Sequence, residues 1–415
     1  MPRRKRVLRT VTGLLLTAVL VLVSACGSSG KRENKEHLPT MTLALRSGIY
    51  SDVIIDCLPK FEEEHGIFCE VLELSEDDLH SMVYEDAGNE IGTYDLCMVD
   101  GSWMAQYTAG GVLANLSDLG YELDDDIIPA TREVCYHDGS IYLAPYYGNV
   151  TVLLYNKVLL EEAGYTGDQI ESLDDIYEIC AKTKAAKNEG FMYRGDTPNN
   201  IVVDFLPILL SFGGWVVDEN DHPTVNTPEF HEAMEFYLKL ISTGKAAAKE
   251  DLIMAVANRA AVMGIGWPGW YTPTNDSSAD YVALTGKKTD ESPAYNANVY
   301  GIWTIGIPAN STRKELAGEL LAYLMDPEVQ KSTVKNGGVP CRYSSLRNEE
   351  VLAEFPQYRA ICDALEGGVY RPIMEKWSDF YTILGSEMGE IISQNQSVDE
   401  GLSKAQSELE EMLGL

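Results

Sequence analysis

Residues 94–119 read YDLCMVDGSWMAQYTAGGVLANLSDL. The first six residues form a near-continuously apolar run, the pattern of a parallel strand covered on both faces. It ends at Asp100 in the loop DGSW, and an amphipathic stretch follows. Upstream the order is the same. MTLALR (41–46) reads as a strand, DVIIDCLPKFEEEHG as a helix stopped by Gly66, FCEVLEL as a strand and EDDLHSMVYEDAG as a helix. This β-α-β-α-β order predicts an α/β fold with a mostly parallel sheet. In such sheets ligands gather beyond the carboxyl ends of the strands. That singles out the loop after the first strand, RSGIYSD, and the loop DGSW.

The middle of the chain is richer in helix. LDDIYEICAKTKAAKN (173–188), PEFHEAMEFYLKLISTG (228–244) and RKELAGELLAYLMDPEVQKSTVKNG (313–337) carry apolar residues at spacings of three and four. Asp326-Pro327 divides the last of these into two helices, and Asp174 and Thr227 are placed as N-caps. Strand-like runs (IYLAPYY, VTVLLYN, AAVMGIG, NVYGIWTIGIP) interrupt the helices, and SVDEGLSKAQSELEEMLGL closes the chain as an amphipathic helix. At 415 residues the chain is too long for one core.

The formal net charge of -32 argues against nucleic acid and anionic lipid surfaces as partners. The first 25 residues differ from the rest. They carry Arg3, Arg4, Lys5, Arg6 and Arg9 with no acid, then the apolar run VTGLLLTAVLVLVSA, the layout of an export signal. Cys26 follows in VSACGSSG, which resembles a bacterial lipobox, where the cysteine is lipidated and becomes the first mature residue. An ordinary signal peptide with an incidental cysteine, or a short anchor, is the alternative. Residues 26–39 then read as a flexible leash. The other cysteines are scattered, without zinc or redox spacing, and read as buried small residues; Cys57 and Cys69 could pair across a helix and the next strand. No phosphate-binding loop or nucleophile elbow is present, and HEAME (231–235) lacks the second histidine of a zinc protease. No cofactor or metal is expected.

VMGIGWPGWYTP (262–273) places Trp267 and Trp270 where Pro and Gly break regular structure. That suits an aromatic platform for a ligand, or an apolar turn that packs a hinge. Several further blocks stand in a fixed order: GSIYLAPYYGNVTVLLYNKVLLEEAG, GGWVVDENDHPTVNTPEFHEAMEFYLKLISTG, NRAAVMGIGWPGW, YGIWTIGIPANSTRKELAGELLAYLMDPEVQ, GGVPCRYSSL and YRPIMEKW. Together with residues 94–119 they resemble the extracellular solute-binding protein family of ABC importers, in the branch with maltose and trehalose binders. The resemblance covers nearly all of the chain after the leash.

The resemblance implies a type II periplasmic-binding-protein-like fold: two discontinuous α/β lobes joined by crossover strands, with a ligand cleft between them. Lobe 1 would comprise 40–148 plus 304–338, and lobe 2 149–303 plus 339–415. It implies a non-enzymatic, monomeric lipoprotein on the extracytoplasmic face of the cell membrane of a Gram-positive bacterium. The protein would touch the membrane only through its N-terminal lipid, close by hinge motion on a carbohydrate, and deliver it to permease subunits and their ATPase. Sugars need flat aromatics for their C–H faces and polar groups for their hydroxyls. The composition agrees, with 23 Tyr against 9 Phe.

Matching to the family gives the candidate ligand residues. Trp267 and Trp270 are stacking platforms, and Trp303 is a cleft floor or a buried strand residue. Asp100 is a hydroxyl acceptor or a helix N-cap, and Trp103 a neighbouring aromatic. Tyr146, Tyr147 and Asn149 lie on the first crossover, where Asn149 replaces the carboxylate common among maltose and trehalose binders. Arg46 and Tyr50 in the first loop, and Arg342 and Tyr343 on the third crossover, complete the set. Trp215 reads as structural, and Trp377 is compatible with cleft or core. Two other readings stay open. One keeps the fold but binds a polyamine or other cation, boxed by aromatics. The other is an anchored glycoside hydrolase using two acids, for which no pair is marked.

Overall fold

In the computed structural model, residues 38–273, 276–286 and 297–415 are described; the export segment, Cys26 and all but the last two leash residues lie outside them. Two five-stranded sheets organise the rest. The first is built from β1 (Thr40–Arg46), β2 (Phe68–Leu74), β3 (Leu96–Asp100), β6 (Leu143–Tyr147) and β13 (Trp303–Gly306), in the order β2-β1-β3-β13-β6. A small hairpin, β4 (Tyr136–His137) and β5 (Ser140–Ile141), precedes β6. β1 pairs in parallel with β2 and β3, whereas β13 runs antiparallel to β3 and β6. The apolar run of residues 94–119 is thus a central strand, buried from Leu96 to Asp100.

The second sheet contains β7 (Val152–Asn156), β8 (Glu189–Tyr193), β9 (Lys245–Ala246), β10 (Ala261–Gly266) and β11 (Ala279–Val282), in the order β11-β7-β10-β8-β9. β8 and β10 are parallel. The chain crosses between the sheets from β6 to β7 through residues 148–151. It returns from β12 (Val299–Tyr300) to β13 through Gly301 and Ile302, with β12 paired to β14 (Val369–Tyr370). The run NVYGIWTIGIP therefore holds two short strands in different sheets, parted at Gly301.

Local chemistry explains where the helices break. The helix expected over DVIIDCLPKFEEEHG forms as Ile49–Ile55 and Leu58–His65. Pro59 lacks an N–H, and its ring would clash with the carbonyl four residues back, which favours a break at this point. Gly66 does end it, at φ 63. Asp326 caps the helix Pro327–Thr333 through the amides of Glu328 and Val329, and Thr227 caps Pro228–Ile241. At Leu173–Ala185 the cap is Ser172 and not Asp174, because the Ser172 hydroxyl accepts from the Asp175 amide.

One core runs through the first sheet and continues onto a face of the second; the other fills the second sheet's far side and the helices Pro198–Ser211, Trp377–Ile392 and Val398–Leu413. Trp377 lies in this second core, stacked on Phe380 with ring centroids 5.5 Å apart. Residues 339–367 pack against elements of both sheets. The Cys341 carbonyl accepts from the Ile128 amide, and the helix Tyr358–Gly367 packs on both residues 129–135 and β11. The described cysteines are all buried and no disulfide joins them. Among the described residues no helix is long and apolar enough to cross a membrane.

Candidate functional site: a cleft at the strand ends of both sheets

The carboxyl ends of β1, β3, β8 and β10 converge on one cavity of about 790 Å³. Arg46 ends β1, Asp100 ends β3, Arg194 follows β8 and Trp267 follows β10, and all four line it. The placement obeys the strand-end rule for open α/β sheets. The N-terminal turns of the helices Glu76–Asp86 and Pro198–Ser211 complete the walls.

The aromatic lining is assembled from separate elements. Trp267 is 7 % exposed and starts a short 3₁₀ turn, Pro268–Trp270. The Tyr281 hydroxyl donates to the Trp267 carbonyl at 3.2 Å. Gly301 on the return crossover lets the Trp267 ring lie close, since a Cβ there would sit 3.0 Å from its edge; one at Gly266 would meet Trp270 at the same distance. Pro and Gly in GWPGW thus seat two rings in a space that regular backbone with side chains would fill. Trp303 opposes Asp100 and Tyr147 across the first sheet, and Tyr50 sits 5.7 Å from its ring.

Two ion pairs brace the polar lining. The Arg371 guanidinium donates to both Asp100 oxygens at 2.6 and 2.8 Å, and to the Tyr300 carbonyl at 3.2 Å. Asp100 also accepts from the Ser102 amide and hydroxyl, so it is the N-cap that the sequence allowed. Burial pulls the Arg371 pKa down, but Asp100 and Glu76 outweigh it and the net direction is up. Arg194 pairs with the buried Asp204 and donates to Asn200 Oδ1 at 2.6 Å. Its guanidinium lies 5.0 Å from the Trp270 ring centre. Burial, reinforced by Asp100, lifts the Glu76 carboxyl above its usual range, against the pull of Arg371 and Arg46. Buried Asn149 Oδ1, Asn199 Oδ1 and Arg46 Nε have no protein partner. Unpaired polar atoms in a cavity wall are costly unless water or a ligand completes them.

The structure brings Arg46, Tyr50, Asp100, Asn149, Trp267, Trp270 and Trp303 to this cavity. The other candidates lie elsewhere. Trp103 is packed against His80, Tyr107 and the edge of Trp303, outside the lining. Successive residues on a strand face opposite ways; Tyr147 donates to the Gly337 carbonyl at 2.8 Å, Tyr146 is buried in the first core, and neither lines the cavity. Tyr343 donates to Glu366 and stacks under Arg347. Arg342 is 1 % exposed and binds Asp124, Asp126, Gln330 Oε1 and the Met325 carbonyl. Half-buried Trp215 packs against the second core.

The Arg342 cluster makes a prediction about stability. Burial raises the Asp126 pKa, but hydrogen bonds from Ser344 and Arg342 outweigh it and the net direction is down. A carboxylate depressed on folding adds stability above its unfolded pKa of about 3.9, and that stability is lost as pH falls through the folded value. Asp126→Asn should therefore destabilise the chain at pH 7, with the gap to wild type narrowing in acid below the unfolded pKa of about 3.9. Urea unfolding under the two conditions measures it, and an equal gap in both would refute the assignment.

Sequence reasoning missed Arg194, Lys249, Arg371, Glu76, Thr197 and Asn199 as cavity residues. One signal was readable. Asp204 stands in NNIVVDFLPILL, an otherwise apolar helical run, and a buried acid there needs a cationic partner.

Known proteins resemble the chain over most of its length. A mannitol-binding protein of Pseudomonas aeruginosa is 23% identical over 393 residues, covering 83% of this chain and 86% of its own. A probable amino-acid ABC transporter periplasmic-binding protein of Sinorhizobium fredii is 21% identical over 369 residues, covering 85% and 84%. Among solved structures, maltose-bound MalE3 of T. maritima superposes with a TM-score of 0.78 at 22% identity, over 90% of this chain and 99% of its own, a likeness of fold. The family model described as bacterial extracellular solute-binding protein matches residues 52–331, which takes in β3, the crossovers at 148–151 and 301–302 and the Trp267 turn, and this chain belongs to that family.

Proposed function

We propose that the chain is the carbohydrate receptor of an ABC importer. The observation that carries this is the convergence of Trp267, Trp270 and Trp303 on one cavity whose walls also hold polar side chains, including Asn149 and Asp100. Aromatic faces suit sugar C–H faces, and the polar atoms suit hydroxyls whose desolvation must be compensated. The cavity lies within the usual range of small-molecule sites. The mannitol and maltose in the names of the relatives support the same class. A polyamine would meet Arg46, Arg194, Lys249 and Arg371 as well as Glu76, Asp77 and Asp100 in the same space, and the excess of cations disfavours it.

In this reading lobe 1 (40–148 plus 304–338) and lobe 2 (149–303 plus 339–415) close on the sugar by bending at the crossovers, and the closed form docks on the permease. Cys26 carries the lipid that holds the monomeric receptor at the extracytoplasmic face of a Gram-positive cell membrane. Intrinsic tryptophan fluorescence of the purified full chain tests the ligand class. A saturable shift with a sugar, absent with spermidine, putrescine and amino acids, is the expected result. A response to polyamines or amino acids with none to any sugar overturns the carbohydrate assignment.

A further inference from the structure

We infer that the solute carries an oxyanion, as a carboxylate, sulfate or phosphate on the sugar, held at the end of the cleft formed by Arg46, Lys249 and the N-terminus of the helix Pro198–Ser211. This rests on the carbohydrate reading above and narrows it.

The chain as a whole has a net charge of -32, yet this cavity draws cations together. Two of them are spoken for: Arg371 is held by Asp100 and Arg194 by Asp204. Arg46 and Lys249 have no carboxylate at ion-pair distance among the described residues. Among the described residues the Arg46 guanidinium donates to the carbonyl and hydroxyl of the adjacent Ser47, and its Nε is buried without a partner there. Lys249 Nζ lies 5.8 Å from the Trp270 ring centre, on the ring that Arg194 also approaches. Lys249 is exposed as a residue; partial desolvation of its ammonium lowers its pKa, and Arg46 and Arg194 add to this against the opposing pull of Glu250. These like charges stand close enough to repel one another, and a ligand anion would relieve them.

The helix ends point the same way. Two helices turn their N-termini to the cavity, and each attracts negative charge. The helix Glu76–Asp86 supplies its own, with Glu76, Asp77 and Asp78 in the first turn. The 14-residue helix Pro198–Ser211 has no acid in its first turn. Pro198 has no N–H and Thr197 Oγ1 takes the Asn200 amide, so this end attracts an anion through the helix dipole and not through those two groups. The nearest acid, Asp196, is exposed, bonds Asn200 Nδ2 and does not line the cavity. The cleft thus mixes charges: Glu76, which feels Arg46, and Asp77 stand at one helix end, and the end at Thr197–Asn199 carries no acid. A neutral sugar closing over Arg46 and Lys249 would take water from both without supplying a counter-charge, a cost that an acidic sugar avoids.

Matched pairs test the inference on the full chain. Oligomers of galacturonate, glucuronate and mannuronate would be titrated against their neutral counterparts, and the 6-sulfates and 6-phosphates of galactose and glucose against the parent sugars. In at least one pair the acidic member should bind about tenfold or more tightly, and the ratio should shrink as salt is raised to about 0.5 M. Which acid wins identifies the oxyanion. Arg46→Gln and Lys249→Gln should each pull the acidic-to-neutral ratio toward one. Arg259→Gln, at an exposed cation paired with Glu162 outside the cavity, should keep it. If neutral members bind as well as acidic ones, the inference fails and the carbohydrate reading stands. If no sugar of either kind binds, both fail. If both Gln variants weaken acidic and neutral members equally, the cations only shape the cleft and the inference is overturned.

Discussion

Replacing Asp204 with alanine should lower the stability of the folded chain by about 3–5 kcal/mol, because it strands a buried guanidinium. Asp204 is 1 % exposed and accepts from the backbone amide of Arg194 at 3.0 Å as well as from its Nε and Nη2. Burial lifts the Asp204 pKa even with Arg194 beside it, so at this carboxyl desolvation outweighs the attraction. Breaking one half is nevertheless worse than having the pair, since the remaining charge keeps its desolvation cost and loses its partner. The double variant Arg194→Met/Asp204→Leu should recover most of the loss, to within about 1–2 kcal/mol of wild type or above it. Urea unfolding of the full chain measures both. A single variant within about 1 kcal/mol of wild type would mean that water reaches Arg194 and the pair is not truly buried. Arg194 also holds Asn200 and faces Trp270, so the stable double variant should still bind ligand poorly. Stability and binding then separate, because one pair serves both.

The same pair marks the boundary of what the sequence discloses. Strands were legible where burial on both faces left an apolar run, as in β3, and helix ends where a cap or proline acts locally, as at Asp326-Pro327 and Thr227. Errors of a few residues came from competition between neighbours, as when Ser172 took the cap from Asp174. Trp267 and Trp270 were legible because Pro and Gly remove every regular use for them. The charged half of the cleft was not. Arg371 meets Asp100 across 271 positions of chain, and no local pattern encodes such a pairing. Arg342 misled for the opposite reason. A cation beside a crossover is a fair ligand candidate until Asp124 and Asp126, far away in the chain, are found around it. Tyr146 and Tyr147 differ by one residue, and strand alternation with a hydrogen bond to Gly337 turned both from the cavity.

Trp267→Ala should weaken ligand binding by roughly 50- to 100-fold, the largest effect expected of any single side chain in the cleft. The ring is almost fully buried yet lines the cavity, seated against Gly301 and carried by a turn that Tyr281 holds from behind. Such a ring is fixed before the ligand arrives, so stacking on it costs little ordering entropy, and its removal opens a gap that water must fill. A loss of about 2–3 kcal/mol follows from the stacking area together with the polar contacts that the ring positions. Trp103→Ala provides the contrast. Trp103 is buried against His80, Tyr107 and Trp303 and does not line the cavity, so its truncation should cost about 3–5 kcal/mol of stability. Calorimetric titration well below the unfolding transition, paired with urea curves, separates the two. Trp267→Ala should lose affinity out of proportion to stability, and Trp103→Ala the reverse. If Trp267→Ala binds as wild type does, the platform is Trp270 or Trp303, and the ring at Trp267 serves to pack the crossover at Gly301 on which lobe closure turns.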